Sequence, residues 1–129
     1  MNQYFMLDTN AVRALLERRS LQLDQCSQKR CSLSAVVATE IRFGLARRRL
    51  PEPRAALVSD LLDVLPVEAF DAQVSKTNGP LRAELQRLGI TQTAMDLLIA
   101  VHALALRRTL VSHDQVFANV PGLQCCMPG

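Results

Sequence analysis

Four acidic residues, Asp8, Glu40, Asp96 and Asp114, stand where an α/β sheet would gather reactive groups. Asp8 directly follows the apolar run 3–7, and Asp114 follows the β-branched run 109–112. Glu40 lies two turns into the helix expected after Cys31–Ser34. Asp96 sits just inside the start of a helix that is apolar almost all round. Each has a plainer reading. Asp8 and Asp114 suit helix N-caps, worth about 1 kcal/mol each. Asp96 suits the helix dipole or a capping box with Thr93, and Glu40 a solvated partner for Arg42 or Arg47. Taken together they imply more. Two unit charges about 5 Å apart repel by about 3 kcal/mol at an effective dielectric of about 20. Four converging carboxylates therefore need protons or cations. Hard oxygen donors select Mg²⁺ or Mn²⁺, which lower the pKa of bound water and neutralise phosphoryl charge. The reaction that suits such a set is metal-assisted hydrolysis of a phosphodiester.

Placing the four acids on one edge requires strands that alternate with helices. Residues 3–7 predict a buried strand, stopped by the cap-forming run Asp8-Thr9-Asn10. A helix follows, with Ala11, Val12, Leu15 and Leu16 on its apolar face. Residues 20–30 are poorly patterned, with room for a short helix. Cys31–Ser34 predicts a strand, and Ser34 caps a helix whose Val36, Val37, Ile41 and Leu45 recur at helical spacing. Arg47, Arg48 and Arg49 end it in favour of its dipole, and Pro51 and Pro53 enforce a break. A helix over 54–63, a strand over 63–67 and a helical stretch over 69–88 follow, the last divided at Gly79-Pro80. Gly89 suits the position after a helix end. Thr93 caps the apolar helix that runs to residue 106. Residues 109–112 predict a strand, 113–117 a turn or short helix, and Gln124-Cys125 a last short strand. Strands separated by helices need crossover connections. The expectation is an α/β fold, an α/β/α sandwich with a mainly parallel central sheet, forming a single domain over 1–129.

Composition agrees. The chain of 129 residues is 49% hydrophobic and 21% charged, which suits a globular core and excludes disorder. No apolar run approaches a membrane span, and the first residues lack a basic, cleavable leader; the expected location is cytoplasmic, with no membrane partner. The net charge is +3, and all basic residues but Lys29 and Lys76 are arginine. Arginine matches phosphate, so the bias favours a polyanion, as does a GC-rich genome without any such partner. Cys26, Cys31, Cys125 and Cys126 form no C-x-x-C pair and are expected to be reduced and structural.

Several motifs resemble one family. Met6-Leu7-Asp8-Thr9-Asn10 is similar to the opening motif of PIN-domain proteins of the VapC toxin type. The stretch from Ser34 through Glu40-Ile41-Arg42-Phe43-Gly44 resembles their second motif. Met95-Asp96-Leu97-Leu98-Ile99-Ala100-Val101-His102-Ala103 resembles the third, and Val120-Pro121-Gly122-Leu123 the usual close. The four lie in family order along nearly the whole chain.

The resemblance implies a Mg²⁺- or Mn²⁺-dependent endoribonuclease, the toxin of a type II toxin–antitoxin pair, that leaves 5′-phosphate and 3′-hydroxyl ends. Its catalytic and metal-binding acids map onto Asp8, Glu40, Asp96 and Asp114. Its supporting polar residue maps onto Thr9, with Asn10 beside it, and Ser112 retains the hydroxyl of the late motif. Val116 departs from the pattern, where relatives often carry a further acid. Arg42, Arg47, Arg48 and Arg49 are candidates to guide RNA, with a solvated helix end as their plainer role. His102 is expected in the core and His113 in a surface turn. The implied partners are an RNA substrate, tRNA in particular, a VapB-type antitoxin and a second copy in a homodimer. The alternative is a PIN-like module that binds RNA or protein without catalysis. A receiver domain would want a late lysine, and a haloacid-dehalogenase-type phosphatase a D-x-D after the first strand. Neither is present.

Overall fold

The computed structural model describes residues 3–18, 30–48 and 52–127. The short helix entertained within 20–30 falls almost wholly outside them. Five strands form one parallel sheet in the order β3-β2-β1-β4-β5. These are β1 (Phe5–Leu7), β2 (Cys31–Ser34), β3 (Val67–Glu68), β4 (Thr109–Val111) and β5 (Cys125–Cys126). The helices are α1 (Thr9–Arg18), α2 (Ala35–Arg48), α3 (Glu52–Val64), α4 (Ala72–Ser75), α5 (Asn78–Arg87) and α6 (Ala94–Leu106). The parallel sheet flanked by helices is the expected fold class.

The core explains the strand assignments. Phe5, Met6, Leu7, Leu33, Leu110 and Val111 are essentially inaccessible to solvent. Each fully buried large apolar side chain stabilises the fold by roughly 1.5–3 kcal/mol. A central parallel sheet is covered on both faces, so its strands are apolar runs rather than alternating ones. α6 packs against β2, β4, α4 and α5, and supplies Ile99, Val101 and Ala103 to this core.

Two boundaries differ from the sequence pattern. The strand expected over 63–67 is instead the end of α3, then a two-residue strand. Leu65 N–H still bonds the Leu61 carbonyl at 2.9 Å, so the helical ladder runs on until Pro66 stops it. The stretch 69–88 is divided, but not at Gly79-Pro80. α4 ends at Ser75, and Pro80 sits in the first turn of α5, where a missing N–H costs nothing. Gly89 closes α5 as expected. It adopts φ +72°, Ile90 N–H bonds the Leu85 carbonyl at 2.9 Å, and Gly89 N–H bonds that of Gln86 at 3.1 Å, a Schellman motif.

The cysteines require a correction. Cys31 is disulfide-bonded, while Cys125 and Cys126 are free. Cys26 lies outside the described residues. The expectation of four thiols rested on cellular compartment, which says nothing about which sulfurs the fold brings together.

Candidate active site at the β1–β4 edge

The strand order reverses beside β1. From β1 the chain moves outward to β2 and β3, then returns through α4–α6 to β4 on the other flank. Ligands of open parallel sheets bind outside the carboxyl ends of strands at such a switch point. Asp8 leaves the end of β1, and Ser112 and Asp114 follow the end of β4.

These three are bonded together. Asp8 is 4% exposed. Its Oδ1 accepts from Ala11 N–H at 2.7 Å, so the residue does cap α1. Its Oδ2 accepts from the Ser112 hydroxyl at 2.5 Å. Ser112 Oγ in turn accepts from Asp114 N–H at 2.9 Å. Asp114 Oδ1 accepts from Val116 N–H at 3.0 Å and so caps the 3-10 turn Gln115–Phe117. Burial pushes the Asp8 carboxyl above its usual value. The bonds from Ser112 and Ala11 oppose that shift, the Asp114 charge adds to it, and the exposed His113 pulls it back.

Glu40 and Thr9 form a second pair, Thr9 Oγ1 donating to Glu40 Oε2 at 3.0 Å. Because Thr9 adjoins Asp8, the two groups are contiguous. The caps behave as the sequence indicates. Ser34 Oγ accepts from Val36 N–H at 3.1 Å, and Thr93 Oγ1 from Asp96 N–H at 3.2 Å. Asp96 is half-buried in the first turn of α6. Asn10 is exposed and joins none of these bonds.

His102 is wholly buried, as expected. Its Nδ1 lies 2.6 Å from Ser34 Oγ, tying α6 to the end of β2, and Phe70 meets its ring edge-on. Nε2 has no partner of good geometry, although the Ala69 backbone is near enough to favour the charged ring. Burial dominates and lowers the His102 pKa.

A hollow of about 580 Å³ opens beside Thr9 and Glu40, between α1, α2 and α3. Arg13, Arg47 and Arg54 line it, with Phe43 exposed at its wall and Arg47 over the Phe43 ring at 6.0 Å. Of the four arginines expected to guide RNA, Arg47 lines this hollow. Arg42 is exposed but does not line it. The Arg48 side chain and Arg49 lie outside the described residues. Arg13 and Arg54 were missed, because isolated arginines on two helices carry no local signal. Gln92 was missed for the same reason. Its Nε2 donates to the Val116 carbonyl at 2.8 Å, joining the approach to α6 to the turn after Asp114.

The donors fit a hard divalent ion in kind, being carboxylate oxygens around a buried acid whose charged form is disfavoured. Among the described residues, no three His, Cys, Asp or Glu side chains are grouped closely enough to surround an ion alone. Mg²⁺ does not need such a cage, since it keeps several waters and takes one or two carboxylates with substrate phosphate.

Comparison with known proteins decides the family. The PIN domain profile matches residues 5–123. The chain belongs to the PIN domain family. Within it the protein is a VapC-type ribonuclease toxin. It is 30% identical over 114 residues to the ribonuclease VapC2 of Haemophilus influenzae, covering 85% of this chain and 86% of that one. It is 27% identical over 124 residues to the tRNA(fMet)-specific endonuclease VapC of Salmonella typhimurium, covering 93% and 94%. Among solved structures, DNA-bound VapBC from Salmonella typhimurium superposes with a TM-score of 0.87 at 26% identity, covering 99% of this chain and all of that one. VapBC2 from Rickettsia felis, bound to promoter DNA, gives 0.82 at 25% identity, with 97% and 98% covered. The chain thus shares its fold, over nearly its whole length, with these VapBC structures. Among the described residues no helix is long and apolar enough to cross a membrane.

Proposed function

We propose that the protein is a Mg²⁺- or Mn²⁺-dependent endoribonuclease that cuts tRNA and is silenced by a VapB-type antitoxin. The observation that carries this reading is the Asp8–Ser112–Asp114 chain at the sheet's switch point. A buried carboxyl is held there with two hydrogen bonds and a second acid nearby, at a cost that a cation removes.

Asp8, Glu40, Asp96 and Asp114 would hold the ion, directly or through water. Bound there, it supplies charge neutralisation and an activated water. Ser112 fixes the direction of the Asp8 carboxylate, and Thr9 that of Glu40. Arg13, Arg47 and Arg54 offer the RNA backbone positive charge beside the acids. The same hollow, with its exposed Phe43, suits a segment of antitoxin. An antitoxin arginine forking onto the acids would compete with the ion. The solved VapBC relatives and the tRNA(fMet)-specific relative support partner and substrate. By the same resemblance the working unit is a homodimer.

A second reading, a PIN-like module that binds RNA or protein without cutting, is favoured by the lack of a ready-made ion cage among the described residues. Sequencing RNA 5′ ends after brief expression, alongside cleavage by purified protein with and without chelator, separates the two. Discrete new 5′-phosphate ends in tRNA, lost with chelator, support the enzyme. Tight RNA binding with no new ends would leave only the binder.

A further inference from the structure

We infer that Gln92 is a positioning residue for cleavage, holding the Asp96 end of α6 against the turn that carries Asp114. This rests on the proposed metal-dependent nuclease and goes beyond it.

Hydrogen bonds, joined at two points by neighbours in the chain, connect the four acid-bearing residues. Glu40 accepts from Thr9, which adjoins Asp8; Asp8 accepts from Ser112; Ser112 accepts from Asp114 N–H. Asp114 accepts from Val116 N–H, and the Val116 carbonyl accepts from Gln92 Nε2. Gln92 adjoins Thr93, whose hydroxyl accepts from Asp96 N–H. Within this run the Gln92 side chain alone crosses from the β4 side to the α6 side. Without it, packing of α6 against β4 and against the turn after Asp114 remains, but this hydrogen-bonded link from that turn to the Asp96 end of α6 is gone.

The other half of the same amide shows what the position demands. Gln92 Oε1 is buried and has no hydrogen-bond partner. An apolar side chain of equal length would leave no such atom unpaired. The glutamine therefore costs stability at Oε1, and what it supplies in return is the hydrogen bond that Nε2 donates to Val116. That donor grips Val116, whose N–H donates to the capping carboxylate of Asp114. His102 and Ser34 already tether the middle of α6 to β2. What Gln92 adds is the angle of the first turn, where Asp96 lies.

Gln92→Met keeps the length and removes the donor, and Gln92→Glu replaces the donor with an acceptor. The test uses the full chain, with Mn²⁺ itself as the probe. Electron paramagnetic resonance gives Mn²⁺ affinity, steady-state cleavage splits kcat from KM, and thermal unfolding gives Tm. Gln92→Met is expected to weaken Mn²⁺ binding by about tenfold, the lower end for outer-shell support of metal ligands. Cleavage falls in kcat with KM for RNA unchanged, and the Tm change stays small, because loss of the unpaired Oε1 offsets the Val116 carbonyl left without its donor. Gln92→Glu loses at least as much Mn²⁺ affinity. Faster amide exchange at Asp96 in the native state of either variant accompanies the loss. Mn²⁺ affinity within twofold of the parent in both variants overturns the assignment, whatever happens to Tm. If the parent binds Mn²⁺ and cuts RNA while the variants match it, this assignment falls alone. A parent that neither binds Mn²⁺ nor cuts RNA overturns the nuclease reading and this one together.

Discussion

The Ser112 hydroxyl reaches the Asp8 carboxylate at 2.5 Å across 104 residues of sequence, and the same oxygen accepts from Asp114 N–H. One hydroxyl therefore fixes the most buried acid and the start of the turn that bears another. Ser112→Ala breaks both bonds. It leaves a buried carboxylate oxygen and an N–H short of a partner, for an expected cost of about 1–3 kcal/mol. The Asp8 pKa rises further, since the Ser112 bond is what lowers it most. The acid limb of the cleavage pH profile should move to higher pH. An unmoved limb in a folded Ser112→Ala protein would count against this coupling.

Asp8→Asn separates stability from chemistry. Burial raises the folded pKa of Asp8 above its usual 3.8. The folded state then resists the charged form, so stability tied to protonation is present below that usual value. It is lost as pH rises through the folded pKa. Asparagine carries no charge to bury. The variant is expected to be at least as stable as the parent at neutral pH, with the advantage shrinking as pH falls toward the usual value. Cleavage should drop by about a thousandfold or more, since metal-centred charge stabilisation is worth several kcal/mol. Mn²⁺ should raise the parent's Tm far more than the variant's. Thermal scans across pH, with and without Mn²⁺, check both parts. Equal Mn²⁺ stabilisation of the two proteins would remove Asp8 from the ion site.

Arg13, Arg47 and Arg54 line one hollow beside Glu40 from three different helices. If RNA phosphates meet them, each change to glutamine lowers the salt slope of binding by about 0.7 for single-stranded contacts. Fluorescence anisotropy with a non-cleaved tRNA over a salt series measures it. A uniform loss of affinity at every salt concentration would point to altered packing instead.

Gly89→Ala tests the fold apart from the site. A Cβ there meets nothing within 4 Å, so the cost is conformational alone. Holding alanine at φ +72° should destabilise by about 1–2 kcal/mol. Denaturant unfolding measures it, and Mn²⁺ affinity is expected to stay at the parental value.

Much of this protein is legible in local chemistry. Apolar runs such as Phe5–Leu7 predict buried strands because a covered parallel sheet leaves no wet face. Ser34, Thr93 and Gly89 mark helix ends because caps and left-handed turns need those residue types within a few positions. The acids at strand ends stand out on the same grounds. Where local signals conflicted, the reading slipped. Pro80 marks a helix's first turn as readily as its break, and the leucines of 61–65 suit a helix as well as a strand.

What only the tertiary structure decided is who meets whom. Strand order is a long-range property, and no local pattern states that β1 lies between β2 and β4. That adjacency brings Ser112 to Asp8. The tie from Gln92 to Val116 and the arginines gathered from three helices have the same origin. Each joins residues whose separation along the chain carries no information about their separation in space. Residue type and spacing determined which groups are capable of chemistry; packing determined which of them act on one another.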